Sequence, residues 1–192
     1  MNSSTRLRSA LAMGTNPQSG DLPKLIEQLG SEPDFFVRDM LTWALTRHPQ
    51  DEVYPLLVRA LDNPRARAQA LHTLSKLGHP DTWAVITPAL LHDDDAAVRT
   101  TAWRVAVASV PEAEINELIA ELVQEIGRVQ VEPQRSLSRA LASFGPLARE
   151  QVEHVVQHAQ HVLALIDDPE REDHTHLEFA RKFAALGIDS AD

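Results

Sequence analysis

Residues 62–80 read DNPRARAQALHTLSKLGHP, one helix with its punctuation written out. Asn63 is an N-cap residue, and Pro64 follows at the first helical position, where a missing N–H does no harm. Gly78 stands where a left-handed C′ residue ends a helix, and Pro80 prevents continuation. Between them Ala66, Ala70, Leu71, Leu74 and Leu77 recur at helical spacing. Arg, Gln, His, Ser and Lys are left for the other face.

The same pattern extends in both directions. Helical spacing predicts helices over 22–29, 34–47, 51–61, 64–77, 81–91, 94–109, 112–126, 133–144, 147–166 and 172–186. Pro49, Pro111, Gly145-Pro146 and Gly187 punctuate them. No segment alternates apolar and polar residues in the manner of a strand, so an all-α chain is expected. Residues 1–20 end in the polar, turn-rich MGTNPQSG and are expected to form a flexible arm with one helical turn near 5–13. Residues 21–187 form the folded domain, and 188–192 a short tail.

Internal repetition decides the architecture. With Arg67 as origin, small or apolar residues fall at +3, +7 and +10: Ala70, Leu74 and Leu77. Arg38 gives Leu41 and Leu45, and Arg99 gives Ala102 and Ala106. Gln134 gives Leu137, Leu141 and Phe144, and His176 gives Phe179, Phe183 and Leu186. Each unit is a helical hairpin that cannot bury its apolar face alone, so the units must stack.

Bulk properties exclude several classes. A chain of 192 residues with 43% hydrophobic and 24% charged residues can bury a continuous core. Without cysteine there is no disulfide, thiolate metal site or cysteine nucleophile. No apolar run reaches the length of a membrane span or a secretory leader, which predicts a cytoplasmic protein. A net charge of −10 opposes indiscriminate binding to nucleic acid or to an anionic membrane.

The fragments Phe36-Val37-Arg38, Ala66-Arg67-Ala68-Gln69-Ala70-Leu71 and Asp94-Asp95-Ala96-Ala97-Val98-Arg99-Thr100-Thr101-Ala102 resemble HEAT repeats, in particular the HEAT-like repeats of phycobilisome lyases. The resemblance covers about 21–187 as five hairpins. It implies a short right-handed α-α superhelix whose second helices line an inner surface. It also implies that each origin arginine pairs with an acid of an adjoining repeat. Arg38, Arg67 and Arg99 match that pattern, whereas Gln134 and His176 depart from it.

The helical wheel then assigns the outward ridge of the second helices to positions +1, +5 and +9. Trp43, His72, Arg104, Arg139 and Arg181 occupy +5. Arg47 and Lys76 stand at +9, and Asp39 and Arg135 at +1. Six of these residues are basic and one is acidic. The first helices are acidic instead, with Glu112, Glu114, Glu117, Glu121 and Glu125 crowded on one of them. This acidic chain is therefore expected to present a basic ridge with Trp43 at its N-terminal end. An equally simple description is a solvated face whose arginines pair locally.

Other groups were weighed for chemistry. His154, His158 and His161 fall at i, i+4 and i+7, a spacing that could hold a transition metal, although no fourth ligand is evident and a polar boundary explains the stripe as well. HEAT-like deoxyhypusine hydroxylases bind metal through His-Glu dipeptides, and the chain has none. Trp83 and Trp103 read as packing residues. Trp43 reads either as an anchor for a partner or as a residue covered by the N-terminal arm. Asp93-Asp94-Asp95 fits a helix N-terminus. No phosphate loop or nucleophile motif occurs.

The expectation is a non-enzymatic interaction module that needs no cofactor and binds a protein or peptide, acidic in character, along the basic ridge. The alternative is a nucleic-acid-binding protein similar to the HEAT-like alkylation-repair glycosylases. Asp39 near Trp43 echoes their catalytic carboxylate among aromatics, but the net charge opposes it.

Overall fold

The computed structural model describes residues 2–128 and 131–167, and the chain divides into two units, Met1–Gln151 and Val152–Asp192. The predicted helix over 172–186, and with it Arg181, lies outside the described residues.

The first unit is built of α1 (Ser3–Thr15), α2 (Leu22–Leu29), α3 (Phe35–Thr46), α4 (Gln50–Ala60), α5 (Arg67–Leu77), α6 (Pro88–Leu91), α7 (Ala96–Ser109), α8 (Ile115–Val123) and α9 (Val131–Ser143). A tenth helix, α10 (Pro146–Asp167), begins in the first unit and continues into the second. No strand occurs among the described residues. Helices α2/α3, α4/α5, α6/α7 and α8/α9 pack as hairpins. The second members form one row, in which α3, α5, α7 and α9 each pack on the next, and α1 packs on α3 at the head of that row. Residues 3–15 are thus a thirteen-residue helix, where the sequence suggested an arm with a single turn. Asn2 caps it by accepting a hydrogen bond from the Thr5 amide at 2.9 Å.

Each origin residue ties its helix to the preceding loop. Arg38, Arg67, Arg99 and Gln134 all donate to a backbone carbonyl six residues back: Glu32, Leu61, Asp93 and Arg128 respectively. Gln134 therefore keeps the backbone half of the arginine's role without its charge. Arg67 also pairs with Asp93 at 2.8 Å, 26 residues on, and Arg99 reaches Glu125 at 3.4 Å at the same separation. Arg6 repeats this spacing, holding Glu32 with bonds of 2.6 and 2.8 Å. By its partner, α1 is the second helix of a further half-repeat. Among the described residues Arg38 forms no ion pair with an acid of an adjoining repeat; it bonds the carbonyls of Glu32 and Pro33, and the Glu32 carboxylate is held by Arg6.

Two elements differ from the periodicity. Helix α5 begins at Arg67, three residues after Pro64. Asn63 instead caps the preceding turn, accepting from the Arg65 amide through its side chain and from Ala66 and Arg67 through its carbonyl. Gly78 ends the helix in the left-handed region at φ 66°. The predicted helix 81–91 is a 3-10 segment, Pro80–Val85, followed by the single turn α6. Pro88 lacks the N–H that a continuous helix needs there. The shortfall leaves a cavity of about 410 Å³ between α4 and α6, lined by Val58, Leu61, Val85 and Leu90.

Candidate functional site: the ridge of the second helices

The ridge follows from which face of each second helix is buried. On α3 the core takes Val37, Leu41, Ala44 and Leu45; on α5 it takes Ala70, Leu71, Leu74 and Leu77. On α7 it takes Val98, Ala102, Val105 and Ala106, together with Trp103, whose indole N–H donates to the Leu91 carbonyl at 2.8 Å. Asp39, Trp43, Arg47, Lys76, Arg104, Arg135 and Arg139 are exposed, and His72 and Ala68 are half-buried. Between α3 and α5 runs a buried polar chain. Gln69 donates to the Thr42 hydroxyl at 2.8 Å, Thr42 and Thr73 hydroxyls meet at 2.9 Å, and Thr73 donates back to the Gln69 carbonyl. This chain fixes the spacing of the two helices beneath the ridge.

Along the ridge α3, α5 and α7 border a cleft of about 520 Å³. Asp39, His72 and Arg104 line it, joined by Phe35, Arg65 and Gln69. Burial pushes the pKa of His72 down, and the positive charges of Lys76 and Arg104 push it the same way, while Asp39 acts in the opposite sense. Arg104 folds along its own helix, with bonds to the Thr101 hydroxyl and the Thr100 carbonyl. Among the described residues, Arg65, Lys76, Arg104 and Arg139 form no ion pair with a carboxylate. Arg135 does, meeting Glu132 at 2.7 Å. The cleft gathers Asp39, His72 and Arg104; Trp43, Arg47, Lys76, Arg135 and Arg139 lie outside it.

Trp43 is partly covered by α1 and partly exposed. One edge of the ring is pressed on α1, where a Cβ added at Gly14 would stand 2.3 Å from Trp43 Cζ3. The rest of the side chain leaves the residue 38% exposed. The pair that the periodicity did not single out is Phe35–Phe36, 66% and 74% exposed, with ring centroids 5.7 Å apart edge to face. Asp34 caps α3 by accepting from the Phe36 and Val37 amides, which places both rings at the mouth of the helix. Phe35 and Phe36 stand at the N-terminus of α3, ahead of Val37, where its buried residues begin.

The acidic face behaves differently. Glu125, with its side chain 1% exposed, receives Arg99, Arg128 and His92. His92 bridges Glu125 at 2.5 Å and Glu121 at 2.7 Å. Burial acts against the charged ring of His92, but the bonds and charges of Glu125 and Glu121 prevail and raise its pKa. Within the Asp93-Asp94-Asp95 run, Asp95 caps α7 and Asp93 holds Arg67. Trp83 donates to Glu114 at 2.7 Å. His154, His158 and His161 are exposed on α10. Among the described residues no group of three or more His, Cys, Asp or Glu side chains is placed to hold a metal ion.

Stacked antiparallel hairpins, each joined to the next through its second helix, define an α-solenoid repeat protein. Residues 22–106, from α2 through most of α7, match the family model described as HEAT repeats. Over that span the chain is similar to HEAT repeats. No curated protein and no solved structure matches it. Among the described residues no helix is long and apolar enough to cross a membrane.

Proposed function

We propose that this protein is a non-enzymatic interaction module that holds a protein partner against the ridge of its second helices, in a cytoplasmic setting. The observation that carries the reading is the exposed set of basic side chains at Lys76, Arg104 and Arg139, which form no ion pair among the described residues, in a chain of net charge −10. The arginines of the inter-repeat ladder, by contrast, spend their charge on Asp93 and Glu125. Unneutralised charge beside exposed aromatics is the composition of a recognition surface. The binding face would comprise Trp43, Arg47, His72, Lys76, Arg104, Arg135 and Arg139.

A photo-crosslinking side chain replacing Lys76 or Arg139 should capture a protein in native cells, whereas one replacing exposed Glu117 on α8 should not. Arg104→Glu with Arg139→Glu should abolish the product while leaving the helical circular dichroism intact. Equal capture from Glu117, or no capture from the ridge, would overturn the assignment. Capture of nucleic acid in place of protein would favour the alternative; the acid Asp39 in the cleft and the chain's net charge weigh against it.

A further inference from the structure

The cleft bordered by α3, α5 and α7 carries two chemically distinct groups of side chains. Phe35 lines the wall and Phe36 stands edge-on against it, both with most of their surface in water. His72 also lines it, within the field of Lys76 and Arg104, from its own helix and from the next. Glu32 also borders the cleft, but its carboxylate is consumed by Arg6. Asp39 is the acid that remains, against Arg65, Arg104 and His72. A free cleft of about 520 Å³ accommodates side chains rather than a whole helix or duplex.

Resting on the reading of the ridge as a partner surface, we propose that this cleft recognises a peptide segment carrying an acidic residue close to an aromatic or large aliphatic one. The carboxylate lies against His72 and the Arg104 guanidinium, within the field of Lys76. The apolar side chain covers Phe35 and Phe36. The physical reasons are complementary. Two adjacent phenylalanines exposed to water gain free energy when a third apolar group covers them. Arg65, Arg104 and His72 outnumber Asp39 in the cleft, so an approaching carboxylate meets a net positive lining, and charge-assisted bonds to a guanidinium are directional. The Gln69–Thr42–Thr73 chain ties α3 to α5, so Phe35 and His72 are carried on helices already joined before a ligand arrives. A basic segment is rejected by the same charges, and a purely apolar one leaves them unmatched.

The test is selection from a random peptide library displayed on phage, with the immobilised full-length chain as bait. Enriched peptides should combine Asp or Glu with a nearby aromatic or large aliphatic residue. For a labelled peptide of that kind, replacing its acids by Asn and Gln should weaken binding about tenfold, equivalent to about 1.4 kcal/mol. Lys76→Glu with Arg104→Glu should weaken the original peptide similarly. Phe35→Ser with Phe36→Ser should remove the apolar preference and retain the acidic one; both positions are exposed, so the fold should survive, as circular dichroism would show. Enriched peptides with no acidic excess, no enrichment over the bare support, or acidic peptides indifferent to both double substitutions would overturn the proposal. A protein crosslinked from the ridge alongside an unsupported acidic preference refutes this inference alone. Absence of any crosslink from the ridge refutes the reading beneath it.

Discussion

At the scale of single residues, two positions make sharp demands on chemistry. Gly14 packs against Trp43, and a Cβ there would meet Trp43 Cε3 and the Ala44 Cα at 2.8 Å each. Because one of those neighbours is backbone, Gly14→Ala should destabilise the protein by about 1–3 kcal/mol, the usual cost of overpacking. Chemical denaturation of the wild type and variant would measure it. His92 is the other position. A histidine whose folded pKa is raised adds stability that is fully present below its unfolded value of about 6.5 and is lost as pH rises through the folded value. The stability difference between wild type and His92→Gln should therefore be larger at pH 6 than at pH 9. A difference that is flat or grows with pH would show that Glu121 and Glu125 do not hold the charged ring.

At the scale of elements, the ladder of origin residues joins one hairpin to the next. Arg67→Ala removes a bond to the Leu61 carbonyl and an ion pair with Asp93. Bonds of this charged kind contribute about 1.5–3 kcal/mol, and the loss should register in global unfolding. Arg6→Ala acts locally because α1 packs at one end of the row. Amide exchange should quicken first in α1, with α5 still protected. Simultaneous loss of protection in both helices would mean that α1 is integral to the whole stack. This element was the least legible in the sequence. Its helix carries polar Ser, Thr and Arg residues, and only the 26-residue interval between Arg6 and Glu32 marks it as a member of the array. The opposite error occurred at 81–91, where helical spacing concealed Pro88 as a break.

At the scale of the whole molecule, function is a matter of where charge is placed. A net charge of −10 describes a molecule that repels nucleic acid on average, yet the ridge of the second helices carries basic groups that form no ion pair among the described residues. Attraction between exposed charges is screened over about 8–10 Å at physiological salt. Crosslinking of a partner through the ridge should accordingly fall as salt is raised, while a contact made mainly by Trp43 and the phenylalanines would be insensitive. The dependence reports how the binding free energy divides between charged and apolar contacts.

The chain by itself determined the all-helical repeat and the phase of its second helices, because a period of 3.6 leaves a single apolar stripe per helix. The stop at Gly78 was readable because it is a local match between a φ angle and the neighbouring backbone. Only the tertiary structure decided which ridge residues share a cleft, since that depends on the rotation and offset between helices 29 to 35 residues apart in origin. It also decided that Glu32 belongs to Arg6, that Trp43 is half covered by α1, and that Phe35 rather than Trp43 faces His72 and Arg104. Residues 62–80 set the interval of the array; packing between repeats set what stands opposite what.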